Sequence, residues 1–275
     1  MTANSILITG CSSGIGLDAA RTLHTRGWRG FATCRAEADC DRLRAEGLES
    51  FRLDYDDEAS VEAAVAEVVS RTGGTLDALF NNGAYAIPCA TEDLPRAALR
   101  AILESNLIGH HDLTCRVIPI MRKQGHGRIV NNSSVLGLVG YRWRGAYVAT
   151  KFALEGMTDV LRIEMRGTGL KFILIEPGPI ATNFRNNSAR QFEKWIDWKN
   201  AFLNAEYAVM RDRFYNSENR DRFELPASAV TAKLIHALES PRPKTRYFVT
   251  TPTYLMAVAR RILPTSALDW VLAKF

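Results

Sequence analysis

The sequence predicts an α/β protein built on a doubly wound parallel sheet of about seven strands, with helices on both faces. Three observations carry this reading. Short apolar runs alternate with stretches of helical period through the first two thirds of the chain. The later runs are continuously apolar, as strands buried on both faces are. The first run leads straight into a glycine-rich turn and a helix.

A first strand is expected over 6–9, where Ser5-Ile6-Leu7-Ile8-Thr9-Gly10 passes from apolar residues into a turn. Helical period covers 14–26, a second strand 30–34, a helix 36–46, a third strand 50–53 and a helix 57–72. A fourth strand at 76–81 leads to one long helix over 95–123, a fifth at 128–132 to a helix over 146–167, and a sixth follows at 170–176. After Pro177-Gly178-Pro179 the rhythm changes, and the aromatic, charged stretch from about 185 to 225 has no strand pattern. Regularity returns with a helix from Pro226-Ala227-Ser228, a strand at 246–249 and an amphipathic segment over 251–275 broken by Pro264. No repeat, low-complexity tract or Pro/Ser-rich linker divides the chain, so residues 1–275 are expected to form one domain.

Composition excludes several classes. At 275 residues, 47% hydrophobic and 24% charged, the chain has the make-up of a globular protein and neither of a disordered nor of a collagen-like one. Five cysteines (Cys11, Cys34, Cys40, Cys89, Cys115) are an odd number without a C-x-x-C pair, which suits a reduced compartment. With no secretory pattern and no run of the ~18 apolar residues a membrane span needs, a cytoplasmic protein is expected. Residues 1–184 carry 20 Lys+Arg against 21 Asp+Glu, and 185–275 carry 15 against 9, so the basic excess lies in the last third. Its charges are scattered among acids, which argues for a solvated surface and against a nucleic-acid partner. His110-His111 has no ligand-like spacing to other donors, so no metal site is expected.

The turn Thr9-Gly10-Cys11-Ser12-Ser13-Gly14-Ile15-Gly16 stands between a strand and a helix, where a βαβ unit binds a pyrophosphate. Glycines let the backbone approach, and the helix N-terminus offers free N–H groups and a positive dipole. At the end of the second strand an acid would hold the ribose hydroxyls of NAD, whereas an arginine accepts the 2′-phosphate of NADP. Here the strand ends Cys34-Arg35, so NADP(H) is expected, with Ser13 as a second phosphate contact and Glu37 as the nearby residue opposing that choice.

A second signal is Tyr147-Val148-Ala149-Thr150-Lys151, at the start of a helix and preceded by Ser133-Ser134 after a strand. Positions i and i+4 share a helix face, so the lysine can approach the phenol. At ~4 Å and an effective dielectric of ~20, a cation would lower a tyrosine pKa by about three units and make it a usable acid and base.

The glycine turn, Asn81-Asn82-Gly83-Ala84, Asn106, Ser134, Tyr147 with Lys151, and Pro177-Gly178 with Thr182 occur in an order that resembles the short-chain dehydrogenase/reductase family, over about residues 5–184. The wording of the motifs is most similar to the hydroxysteroid and retinol dehydrogenase branch. The resemblance implies a Rossmann fold and hydride transfer between a nicotinamide and a carbonyl or secondary alcohol. It further implies that Tyr147 is the acid/base, that Ser134 hydrogen-bonds the reacting oxygen, that Lys151 tunes the tyrosine and holds the ribose, and that Asn106 orders a relay water. It assigns cofactor contact to Gly10, Ser12, Ser13, Gly14, Ile15, Gly16, Asp54, Asn82, Gly83, Tyr147, Lys151, Pro177, Gly178, Ile180 and Thr182. Where the family shows Asn-Asn-Ala-Gly, this chain has Asn82-Gly83-Ala84, a smaller third position. A homodimer or homotetramer is implied as well. A non-catalytic NADP-binding sensor or regulator is the alternative from another class, and it would have no need of the full catalytic set.

The stretch after Thr182 is placed to close over a ligand, since ligands of such sheets lie beyond the carboxyl ends of the strands. Phe192, Trp195, Trp198 and Phe202 recur at helical spacing and would form one aromatic face, either a lid over a bulky hydrophobic carbonyl or a plain core or dimer face. Arg142 and Arg144 flank Trp143 near the expected mouth, where they would attract an anionic tail or stand as exposed loop arginines. The segment 251–275 would cap its own core, dock on a second subunit or, least favoured, touch a membrane.

Overall fold

The computed structural model describes residues 3–215 and 221–274. Seven parallel strands form one sheet: β1 (Ser5–Ile8), β2 (Arg29–Cys34), β3 (Glu49–Arg52), β4 (Ala78–Asn81), β5 (Gly127–Asn132), β6 (Leu170–Glu176) and, last in the chain, β9 (Arg246–Phe248). Two further strands, β7 (Ile180–Ala181) and β8 (Leu225–Pro226), pair only with each other. The order across the main sheet is β3-β2-β1-β4-β5-β6-β9, so the chain reverses direction between β1 and β4. Ligands of open α/β sheets lie at such a reversal, beyond the strand carboxyl ends.

Alternation along β1 assigns the two faces. Ile6 and Ile8 pack with Ala19, Ala20 and Leu23 of α1 (Gly14–Thr25), Cys40 and Leu43 of α2 (Glu37–Ala45), and Val230 and Leu234 of the later helix over 227–239. Leu7 points the other way, to Val61, Ala64 and Val68 of α3 (Glu58–Thr72) and to Leu113 and Val117 further along. Asp57 starts α3 by accepting a hydrogen bond from the Ser60 N–H at 3.2 Å, and Gly73, at φ +68°, ends it.

The single long helix expected over 95–123 is two helices, α4 (Arg96–Leu103) and α5 (Gly109–Gln124), joined through a π-helical turn at Glu104–Ile108. Apolar period cannot show this, because the extra residue leaves the buried face continuous. Asn106 lies in that turn, and its amide exchanges hydrogen bonds with the Tyr85 backbone, N–H to Oδ1 at 3.1 Å and Nδ2 to the carbonyl at 2.8 Å. Such turns recur at functional sites. Next, α6 (Gly145–Glu164) follows β5.

The stretch 185–225 is more regular than expected. It contains α7 (Phe184–Trp195) and α8 (Asn204–Tyr215), and pairing of β7 with β8 ties its end to the strand that begins it. Beyond α9 (Ala227–Glu239) and β9, the C-terminal segment divides at Pro264 into α10 (Thr251–Ile262) and α11 (Thr265–Leu272). Ala257 of α10 packs on Leu138 and Val139, so this segment caps its own core, while Leu255, Val258 and Ile262 face outward. Among the described residues no helix is long and apolar enough to cross a membrane.

Candidate active site

The glycine turn is built by close backbone approach. Gly10 has φ +67°, and a Cβ there would meet Gly83 Cα at 2.9 Å, while a Cβ on Gly16 would run into the Gly10 carbonyl. Asn82 clamps the turn from β4: its Nδ2 donates to the Thr9 carbonyl at 3.0 Å, and its Oδ1 accepts from Asn132 Nδ2 at 2.9 Å. Ser13, extended at φ −165°, precedes α1 without a side-chain capping bond, which leaves its hydroxyl and the first helical N–H groups to a ligand. From the far side of the sequence Thr182 reaches the same place, its Cγ2 lying 3.0 Å from the position of a Cβ on Gly14. The cradle thus fits a dinucleotide: side chains are excluded where a pyrophosphate would lie, and donors face it.

At the carboxyl end of β2, Arg35 is exposed. Glu37, expected to oppose it, is held instead by Arg44 at 2.5 Å. Ser12 is exposed, and its carbonyl accepts from Arg42 at 2.7 Å. Asp54 lies just beyond β3, one carboxylate oxygen accepting from the Asp56 N–H and the other 3.4 Å from Arg52.

Two residues that carried no sequence signal brace this floor. The Tyr55 hydroxyl lies 2.8 Å from Thr9 Oγ1 and 2.9 Å from Asn81 Oδ1, and its ring packs against Gly83 and His110. A Cβ on Gly83 would come within 3.0 Å of that ring, so the smaller third position accommodates Tyr55. His110 is fully buried, with Nε2 2.6 Å from the Gly83 carbonyl, and burial pushes its pKa down to about 3, so it is a neutral brace. Asn81 of β4 links three elements, donating to Thr114 of α5 at 3.0 Å and to Asn131 of β5 at 2.9 Å.

The reactive corner lies at the carboxyl end of β5 and the start of α6. The Ser134 side chain lies within interacting reach of Tyr147, and its Oγ accepts from the Leu136 N–H at 3.1 Å. Ser133 turns the other way, toward Glu155. Lys151, 1% exposed, donates to the Asn132 carbonyl at 2.7 Å, and its Nζ is 5.5 Å from the Tyr147 ring centroid. The electrostatics correct the expectation of a lowered phenol: burial pushes Tyr147 above its ordinary value, and the Ser134 side chain only partly offsets this. The ammonium, 5.5 Å from the ring centroid, does not overcome this desolvation. Burial instead brings Lys151 itself down to about 8, opposed by the charge of Glu155. Asn106 is fully buried, and its amide, committed to Tyr85, also approaches Thr150 Oγ1 at 3.4 Å.

Pro177 accepts from the Val135 N–H at 2.7 Å, and a Cβ on Gly178 would run into Thr250 Oγ1, so this turn is wedged between two elements. Ile180 packs on the core beside β1. The first residue of α7, Phe184, meets Tyr147 edge-on with centroids 5.5 Å apart; nothing in its sequence surroundings marked it.

Three of the four expected aromatics, Phe192, Trp195 and Trp198, pack in one cluster, and Phe202 does not join them. The helix ends at Trp195, so the spacing loses its meaning beyond it. Phe192 is fully buried against Tyr207 and Trp198, Trp195 is half-buried, and Phe202 is 94% exposed. Arg142 is exposed and lies over the Trp143 ring, while Arg144 turns inward and donates to the Trp143 carbonyl at 3.2 Å.

A family model described as short chain dehydrogenase matches residues 4–193. The chain is 39% identical over 269 residues to an oxidoreductase of Escherichia coli, YbbO, covering 98% of this chain and 93% of that protein. It is 32% identical over 285 residues to human 17-beta-hydroxysteroid dehydrogenase type 6, covering 98% of this chain and 87% of that one. Among solved structures, an actinorhodin polyketide ketoreductase with NADPH is similar at a TM-score of 0.73 and 28% identity, covering 90% of this chain and 95% of that one.

Proposed function

The chain belongs to the short-chain dehydrogenase family, and on that premise we propose that it is an NADP(H)-dependent oxidoreductase interconverting a secondary alcohol and a carbonyl on a bulky hydrophobic substrate. One observation carries the reading: Tyr147 and Lys151 stand buried one helical turn apart at the start of α6, with Ser134 as the polar neighbour that acts on the phenol. NADP(H), when bound, supplies the hydride for reduction or takes it in oxidation. Tyr147 gives the proton to the carbonyl oxygen or takes it from the alcohol. Ser134 donates to that same oxygen, a contact that strengthens as negative charge grows. Lys151 holds the ribose and keeps a positive charge beside the phenol, which assists its ionisation. Asn106, through its π-helical turn, orders the relay that returns the proton.

Arg35 supports the choice of NADP(H), being exposed at the end of β2 while its acidic neighbour is held by another arginine. The apolar wall of Phe184 at Tyr147 supports a hydrophobic substrate, as does the human relative, whose name gives a hydroxysteroid. Gly10, Gly14 and Gly16 admit the pyrophosphate, Ser12 and Ser13 lie beside it, and Asp54, Ile180 and Thr182 touch the adenine and nicotinamide ends. The protein acts in the cytoplasm as a homodimer or homotetramer, an assembly that light scattering of the purified chain would check.

The test is decay of nicotinamide absorbance with NADPH against ketones and aldehydes graded in size, beside Tyr147→Phe and repeated with NADH. Turnover that rises with apolar bulk and vanishes in the variant is expected. Equal turnover by the variant would sink the reading, and tight NADPH binding without turnover on any member would favour a sensor.

A further inference from the structure

Tyr147, Lys151 and Glu155 stand at i, i+4 and i+8 on one face of α6, all buried. Beyond Lys151 this face runs into a second charged group that the proposed chemistry does not use. Arg246 of β9 donates through Nη1 to both Glu155 and Glu176, the latter at 2.5 Å, and through Nη2 to Asp159 at 2.8 Å. Glu176 ends β6 immediately before Pro177-Gly178 and is fully buried. Glu155 Oε1, Glu176 Oε2 and Ser133 Oγ are buried without a hydrogen-bond partner. Ser133 Oγ and Glu155 Oε1 crowd the same point, lying 2.7 and 3.1 Å from where a Cβ on Gly137 would be.

We propose that Glu155 is a positioning residue for Lys151: with one proton shared between Glu155 and Glu176, Glu155 is the anionic member and keeps the Lys151 side chain an ammonium. The proposal rests on the reading of Lys151 as part of the proton machinery. Two buried carboxyls sharing one guanidinium nitrogen cannot both ionise cheaply, so the pair retains a proton near neutral pH. Burial raises both acids, and the Lys151 ammonium one turn away on α6 favours charge on Glu155, so the proton resides on Glu176, which the Glu155 charge raises further. Lys151 therefore depends on Glu155 for its charge. Every other ionisable group around the pair is accounted for: Asp159 and, through it, Arg162 on α6, Arg246 on β9, Arg260 of α10 bound to the Gly137 and Leu138 carbonyls, and neutral His110 on the Lys151 side.

The experiment reads Lys151 directly. The Nζ titration is followed by heteronuclear NMR in the full chain, assigned by its loss in Lys151→Met, together with the pH profile of NADPH-dependent reduction. Glu155→Gln removes the anion, so the Lys151 midpoint and the alkaline limb of activity both move down by about one pH unit. Glu176→Gln mimics the protonated acid and leaves both in place. Glu155→Asp withdraws the charge without deleting it, and it gives a smaller downward shift that also serves if the Gln variant does not fold. An unchanged Lys151 midpoint in Glu155→Gln or Glu155→Asp overturns the proposal, as do equal shifts in the Glu155 and Glu176 variants. The NMR titration decides the point even if no carbonyl is turned over, so its outcome is separate from that of the proposed activity.

Discussion

The floor of the site and the cover beyond Thr182 are specified in different ways. In the floor, a backbone atom or a short polar side chain occupies each critical position: Gly10 against Gly83, Gly16 against the Gly10 carbonyl, Asn82 between two strand ends. In the cover, α7 and α8 are held by large side chains reaching distant partners. Phe192 packs on Tyr207, whose hydroxyl donates to Asp93 at 2.7 Å and accepts from the Ala90 N–H at 2.9 Å. A contact between backbones tolerates only glycine or one short side chain, whereas a packing contact tolerates any shape of similar volume. Changes in the floor should therefore alter chemistry or cofactor choice, and changes in the cover should alter stability.

The largest expected effect tests the floor. Tyr147→Phe should lower the rate of reduction by about 10²–10⁴-fold, the usual worth of a positioned acid/base. The melting temperature should barely move, since Ser134 keeps its bond from Leu136. A variant that loses activity and cooperative unfolding together would show that the corner is structural, and the contrast with the cover would fail.

The cover gives the next effect. Phe192→Ala should cost about 3–5 kcal/mol of stability, as truncation of a fully buried phenylalanine does. Urea unfolding would measure it, and NADPH affinity should persist wherever the protein remains folded. Arg35→Ala sharpens the other side at smaller scale. Loss of a charge-assisted contact to a phosphate should weaken NADPH about 10–100-fold and leave NADH alone, read by fluorescence titration of both. Equal losses for the two cofactors would remove Arg35 from the phosphate site.

This difference also explains what could be read from the sequence. All seven strands of the main sheet were legible, the inner ones because burial on both faces leaves apolar runs such as Phe172–Ile175, and the glycine turn was legible because its spacing answers to backbone geometry. Tyr55 and Phe184 were not, since each acts through a ring whose partners lie far away in the chain. The π-helical turn was hidden for a related reason: it shifts hydrogen bonds and does not break the buried face. Helical spacing misled at Phe202, because periodicity holds only while the helix continues and α7 stops at Trp195.

That last residue supplies the smallest and most discriminating effect. If the four aromatics formed one lid, Trp195→Ala and Phe202→Ala would raise KM for large ketones together. The structure separates them: Trp195 packs on the cover with its indole N–H donating to Gln191 at 3.1 Å, while Phe202 is 94% exposed. Phe202→Ala should thus change stability by no more than about 0.5 kcal/mol and leave KM alone, as surface substitutions do. Trp195→Ala should lower stability through the packing it loses and leave KM as it is for small and large members alike. A KM increase in Phe202→Ala would mean that the 196–203 segment folds inward when substrate binds, which would make the cover part of the site and erase the division between the two regions.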